Sequence, residues 1–202
     1  MKRRWIILAA VGVTVMLLDQ GSKFLAVKHL TPAISETRPL LDQIASFYGE
    51  VEGPCRGYEM RCTTHRVVEG FWNWRYVENP GAAWGFLSRV DERFRIPFFL
   101  LISIGAIAFI INFFRKLSND QNLLVVSLSL VFGGAIGNFV DRLHLSYVID
   151  FIDWYVGSAH WPTFNVADAA ISAGVGLLVL EWIRDAIKAR AAAKVSPEES
   201  SA

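Results

Sequence analysis

The chain has 202 residues, of which 53% are apolar, and its 20 basic and 19 acidic side chains give a formal net charge of +1. This length predicts one domain with at most a small insertion. The apolar content excludes a disordered chain, and the balanced charge gives no support to nucleic-acid binding. Four stretches, 65 residues in all, contain no charged side chain: 5–18, 96–114, 121–140 and 169–180. This segregation of charge predicts a polytopic membrane protein.

In chain order, the uncharged stretches predict four membrane-spanning helices. A span needs roughly 20 mainly apolar residues, which places the four at about 5–27, 96–114, 121–141 and 163–183. The second and third are long enough by themselves, whereas the first and fourth must include charged residues at their margins. A cleaved signal peptide is the alternative for the first span. Against it, Asp-Gln-Gly-Ser follows the apolar run where a small-residue cleavage site would be needed.

Basic residues near the spans predict the orientation of the chain. They precede the first span, lie between the second and third, and follow the fourth, at 2–4, 115–116 and 184–194. Because basic residues in short loops favour the cytoplasmic side, both termini are expected to be cytoplasmic and the segment 28–95 extracytoplasmic. The small, polar tail at 191–202 is expected to be disordered.

The segment 28–95 is too long to be a simple linker. Residues 67–77 alternate between aromatic and polar side chains, which predicts a strand, and residues 146–153 are compatible with another. The predicted fold class is therefore a mainly α membrane protein, with four transmembrane helices, a small extracytoplasmic β-sheet and a loop insertion. Cys55 and Cys62 both lie in this segment, where a disulfide is expected and a pair of free thiols is the alternative.

Four acids map to the outer ends of the predicted spans or to the loop between them, although they come from three parts of the chain: Asp19, Asp141, Asp150 and Asp168. Charges beside membrane spans are costly and are therefore candidate functional groups. Two nearby carboxylates share one proton, and the ionised acid can then activate water as in an aspartic protease. No metal or cofactor is expected, because the four histidines are scattered along the chain.

These polar residues also have structural interpretations. Asp19 and Lys23 have the i, i+4 spacing of a helical ion pair, and Asn165 with Asp168 has the spacing of a capping box. One helical face carries three residues that can tie a helix end to the outer loops: Asn138, Asp141 and Arg142. Asp150, between two apolar residues, is the hardest to explain in this way. The glycine-rich stretches at 133–137 and 173–176 predict close helix packing.

Two other functions are compatible with these acids. If the acids are only structural, the protein is an assembly protein. If they carry protons, it is a small proton-coupled membrane transporter. The acids cluster at one face instead of crossing the membrane, which counts against a proton relay.

Five short blocks occur in order along the chain: DQGSK at 19–23, ENPGAAWGF at 78–86, GGAIGNFVDR at 133–142, VIDF at 148–151 and FNVAD at 164–168. Together they resemble the signature blocks of the bacterial lipoprotein signal peptidases, or signal peptidase II. The resemblance implies an aspartic intramembrane endopeptidase in the bacterial cytoplasmic (inner) membrane. Such an enzyme removes the signal peptide from prolipoproteins and cuts before a cysteine that carries diacylglycerol. It also implies an extracytoplasmic sheet and a flap over the site.

By motif position, the resemblance implies that Asp150 and Asp168 form the catalytic pair. The residues it implies for substrate binding or support are Asp19, Lys23, Asn79, Gly81, Asn138, Asp141, Arg142 and Asn165. The implied partners are diacylglyceryl prolipoproteins and membrane lipid, and the chain is expected to be a monomer. Two features depart from the family pattern: Trp84 stands where phenylalanine is usual, and the region 31–70 is longer than usual.

Overall fold

A computed structural model of the chain describes residues 2–49, 62–81, 87, 90–118 and 120–195. The elements in chain order are α1 (Lys2–Leu30), α2 (Leu40–Gly49), β1 (Thr64–Val68), β2 (Trp72–Asn79), α3 (Glu92–Lys116), α4 (Asn122–Leu145), β3 (Val148–Val156), β4 (Ala159–His160) and α5 (Val166–Val195). Four of the described helices are long and apolar enough to cross a membrane: α1, α3, α4 and α5. The predicted fold class is confirmed, and α2 is an additional helix between the first span and the sheet.

Helix α4 is the centre of the bundle and packs against α1, α3 and α5. Glycines allow this close approach, as predicted. A Cβ at Gly134 of α4 would lie 2.5 Å from the carbonyl oxygen of Ala167, and one at Gly174 of α5 would lie 2.7 Å from that of Ser127. By contrast, a Cβ at Gly176 would have no neighbouring atom of the described residues within 4 Å.

The helix ends follow from local sequence. Asp91 caps α3 by accepting a hydrogen bond from the backbone N–H of Arg93 at 2.9 Å. Ser146 adopts a left-handed conformation (φ 66°) and closes α4 through its N–H to the carbonyl of Arg142. The tail prediction differs from the structure at 191–195, where the alanine-rich sequence continues α5 through Val195. Residues 196–202 lie outside the described part of the chain.

The sheet has the order β1-β2-β3-β4, with neighbouring strands antiparallel. The prediction of one strand at 67–77 is wrong, because the chain turns at residues 69–71 and the segment forms a hairpin. Gly70 (φ 78°) supplies the positive φ that this turn needs. The second predicted strand, 146–153, begins two residues later and extends to Val156.

The sheet is fixed to the bundle by an apolar core at one end of α1. Ala26, Val27 and Leu30 of α1 pack there with Tyr76 of β2 and Ile149 of β3. Antiparallel pairing of β2 with β3 aligns Val77 with Asp150 and Asn79 with Val148, so the end of β2 lies beside the start of β3. The core therefore holds Asp150 at the sheet end of the bundle, near the beginning of α5.

Candidate active site

Asn165 and Asp168 form a capping box at the start of α5, as the spacing predicts. The side-chain oxygen of Asn165 accepts the backbone N–H of Asp168 at 2.9 Å, and Oδ2 of Asp168 accepts the backbone N–H of Asn165 at 3.3 Å. The capping box thus satisfies the backbone N–H groups of Asn165 and Asp168. The positive end of the helix dipole also favours an ionised carboxylate at this position.

Asp150 is almost fully buried and receives two amide hydrogen bonds. Asn165 Nδ2 donates to its Oδ1 at 2.7 Å, and Asn79 Nδ2 donates to its Oδ2 at 2.9 Å. Burial, followed by the nearby charge of Asp168, raises the pKa of Asp150 to about 8, although both amides oppose the shift. The site therefore favours a protonated Asp150 at neutral pH.

Asn138 of α4 connects this pair of acids to a second group of charges. Its Nδ2 donates to Oδ1 of Asp168 at 2.8 Å. Its Oδ1 accepts hydrogen bonds from Asn165 Nδ2 at 3.2 Å and from Lys23 Nζ at 3.1 Å. One amide thereby fixes Asp168 and Asn165 relative to α1, which orients the acids before any substrate binds.

Lys23 lies fully buried between two carboxylates. Its Nζ lies 2.7 Å from Oδ2 of Asp19 and 2.8 Å from Oδ2 of Asp141. The remaining oxygen atoms of the acids are also used: Oδ1 of Asp19 accepts the backbone N–H of Ala167, and Gln20 donates to Oδ1 of Asp141. The ion pair predicted from the i, i+4 spacing is present, and it also joins α1 to α4 and to the start of α5.

Arg142 and Asn79 position the chain at the end of β2. The guanidinium of Arg142 lies over the ring of Phe99 and donates weakly to the carbonyl of Gly81, at 3.4 Å. Oδ1 of Asn79 accepts the N–H of Gly81 at 3.1 Å, which leaves Nδ2 of the same amide for Asp150.

Asp150 and Asp168 face a cavity of about 1120 Å³ whose wall is mostly apolar. One part of the wall carries Asn79, Asn138, Arg142, Asp150 and Asp168. Another part is formed by Trp154, Trp161, Pro162, Phe164 and Ile171. A large apolar cavity with a few convergent polar groups is typical of a binding site.

All ten residues singled out from the sequence for the site lie in the described part of the chain, and contacts join them into one network. The sequence did not single out Gln20, which links Asp141 to the hydroxyl of Tyr48 at 3.2 Å. Its place in the DQGSK block, next to Asp19, was the signal that could have found it. Trp84 and Cys55 lie outside the described residues, whereas Cys62 is disulfide-bonded.

A separate polar cluster on the sheet was also not anticipated. Buried Asp153 accepts a hydrogen bond from Asn73 Nδ2 at 3.0 Å and lies 2.8 Å from Nδ1 of His160. Burial alone would raise the pKa of Asp153, but these contacts and nearby Arg75 outweigh it and lower the pKa. Among the described residues, no group of three His, Cys, Asp or Glu side chains is arranged to hold a metal ion.

Fold and site together define a multi-pass membrane protein in which a buried acid, Asp150, and a half-buried acid, Asp168, converge on a cavity at the sheet end of its bundle. The family model described as signal peptidase (SPase) II matches residues 11–184. The chain therefore belongs to the signal peptidase II family, a membership that implies cleavage of signal peptides from prolipoproteins. The resemblance stated from the five sequence blocks is confirmed.

Named relatives and solved structures agree with this assignment. The chain is 44% identical over 184 residues to the lipoprotein signal peptidase of Anaeromyxobacter sp. (strain Fw109-5), covering 88% of this chain and 84% of the relative. It is 53% identical over 119 residues to that of Geobacter metallireducens, covering 59% and 72%. A bacterial membrane enzyme solved by the in meso method at 2.3 Å matches with a TM-score of 0.65 and 28% identity, over 89% of this chain and 88% of that one.

Proposed function

We propose that this protein is an aspartic endopeptidase that removes the signal peptide from diacylglyceryl-modified prolipoproteins within the membrane, cutting before the lipidated cysteine. The observation that carries the proposal is the sharing of one residue by two acids. Asn165 donates its side-chain N–H to Asp150 and its backbone N–H to Asp168, and both acids line the same cavity. Such a pair can hold one proton between its members.

The two acids take different roles because their surroundings differ. Asp168, at the start of α5 and bonded by Asn138, is the ionised member and takes a proton from water as the water attacks the scissile carbonyl carbon. Asp150, with its raised pKa, is the protonated member and donates its proton to the carbonyl oxygen. Collapse of the tetrahedral intermediate returns a proton to Asp150, while Asp168 gives its proton to the departing amine. The pair is then restored.

The cavity is suited to a lipidated substrate. Its wall of Trp154, Trp161, Pro162, Phe164 and Ile171 offers apolar surface to acyl chains beside the two acids. The substrate's signal segment is itself an apolar helix and can approach through the bilayer. We place the protein in the bacterial inner membrane as a monomer, with both termini cytoplasmic and the acids near the outer face.

The test is cleavage of a diacylglyceryl prolipoprotein by purified Asp150→Asn and Asp168→Asn variants in detergent or proteoliposomes. Each substitution keeps the shape of the side chain but removes an acid, so each should reduce kcat by at least about 10³-fold. Both variants should still insert and accumulate.

Asp153→Asn is the matched control, because Asp153 is also a buried acid of β3 but bonds to Asn73 and His160 and not to Asn165, the residue that joins Asp150 to Asp168. It should retain most of the wild-type activity. Full cleavage by either variant of the pair would refute the assigned roles. Solute or proton flux by the wild type in proteoliposomes, without peptidase activity, would support the transporter alternative instead.

A further inference from the structure

Helix α2 has its polar and apolar faces reversed relative to a helix that packs on a protein in water. Polar Gln43 and Ser46 are 4% and 6% exposed, whereas Leu40 and Leu41 are 61% and 79% exposed, and Ile44 also lies on the exposed face. A water-exposed helix normally buries its apolar stripe and exposes its polar face.

The buried polar side chains of α2 hydrogen-bond inside the protein, apart from Oε1 of Gln43, which has no hydrogen-bond partner among the described residues. Gln43 Nε2 donates to the carbonyl of Arg38 at 2.7 Å, and the Arg38 guanidinium donates to the hydroxyl of Ser46 at 3.1 Å. Phe47 is the apolar residue that α2 does bury, and its ring packs edge-on against Phe24 of α1. The helix is thus fixed to the bundle through one face while its leucines point away from the protein.

The position of α2 puts that outward face beside surface that belongs to the membrane. Tyr48, in its last turn, bonds to Gln20 of α1 and packs its ring against His144 of α4. Leu17, one turn before Gln20, and Leu143, next to His144, are both exposed on spanning helices. Helix α2 therefore packs against two spanning helices close to positions where both expose leucines.

We propose that α2 is an interfacial helix whose Leu40–Leu41–Ile44 face contacts the acyl chains of the leaflet on the sheet side of the bundle. The occupant is membrane lipid, since the face carries no charge and α2 packs against two spans that expose leucines nearby. Asp42 lies at the edge of this face, where it can reach the headgroup region. The segment between the first span and β1 is then partly a membrane anchor instead of a loop standing in water.

The test is site-directed spin labelling in proteoliposomes, with nitroxide collision rates measured against oxygen, which partitions into lipid, and against a water-soluble nickel chelate. The label replaces Leu41 in L41C, whose side chain is exposed enough for the fold to tolerate it. L18C on α1 is the lipid control, because Leu18 is 59% exposed on a spanning helix. E69C in the β1–β2 turn is the water control, because its side chain is 89% exposed. The unsubstituted protein reports background labelling.

The label at L41C should have the high oxygen and low nickel accessibility of L18C, and I44C should repeat this result. Nickel accessibility similar to that of E69C would overturn the inference, because α2 would then lie in water. Low accessibility to both reagents would also overturn it, because a protein partner such as a second copy would then cover the face. These readouts do not depend on peptidase activity, so they stand or fall separately from the proposed function.

Discussion

At the scale of single residues, the side-chain amides of three asparagines organise the two acids. Asn79 and Asn165 donate to Asp150, and Asn138 donates to Asp168. An amide can donate and accept at once, which lets it orient a carboxylate without adding a charge. The three amides therefore orient the acids without adding a charge of their own to the site.

The raised pKa of Asp150 predicts how activity depends on pH. If Asp150 must be protonated, kcat/KM should fall as the pH rises through about 8. The same shift means that the stability contributed by this group is present below its ordinary pKa of 3.8 and is lost as the pH rises to about 8. Initial cleavage rates measured across this pH range check the predicted fall in kcat/KM, which is the alkaline limb of the pH–rate profile.

Asn79→Ala should move the alkaline limb to higher pH, because the hydrogen bond from Asn79 lowers the pKa of Asp150 and its loss lets that pKa rise further. Asn73→Ala is the matched control: Asn73 lies on the same strand and donates to Asp153 instead. An unchanged limb in the Asn79 variant, or equal shifts in both variants, would contradict the role given to Asp150.

Lys23→Met should destabilise the folded protein strongly. It leaves Asp19 and Asp141 buried together without their cation, and removal of one partner from a buried charge group costs about 3–5 kcal/mol. Thermal unfolding in detergent measures the effect. Lys28→Met on the same helix, where Lys28 is only half-buried, is the control and should change little. Similar melting temperatures of the two variants would mean that the ion pairs of Lys23 contribute no more to stability than the half-buried Lys28 does.

At the scale of elements, the close packing of α4 with α5 brings Asn138 within reach of Asp168. The sequence predicted the four spanning helices, the close packing and the capping box, because these depend on spacing along one chain segment, but it did not predict α2. It did not predict the hairpin turn at 69–71. Alternation in 67–77 continued through that turn and looked like one strand.

Gly174→Ala should destabilise the α4–α5 packing by about 1–3 kcal/mol, because the added Cβ would overlap the Ser127 carbonyl oxygen and force the helices apart. Gly176→Ala, two residues further along the same helix, meets open space and should be neutral or stabilising by up to about 1 kcal/mol from helix propensity. Melting temperatures in the same detergent compare the two. Equal effects would show that the glycines act through propensity and not through packing.

At the scale of the whole molecule, the orientation determines on which side of the membrane the acids work. Basic residues at 2–4, 115–116 and 184–194 predict cytoplasmic termini. A membrane-impermeant maleimide should therefore label E69C in intact spheroplasts, and R184C only after permeabilisation. Both side chains are well exposed, at 89% and 68%, so accessibility reports the side of the membrane. Labelling of R184C in intact spheroplasts would reverse the map.

The sequence alone determined the number of spans and the class of fold, and it predicted the two acids that we propose for catalysis. A helix that crosses a bilayer needs an apolar run of roughly 20 residues. Charged residues at the ends of such runs are costly, so the sequence alone marks them as candidate functional groups. Tertiary structure decided how those charges are shared: Lys23 between Asp19 and Asp141, and Asn165 between Asp150 and Asp168. It also decided which face of α2 is exposed. Contacts between segments far apart in the chain set these features, and spacing along the sequence does not encode such contacts.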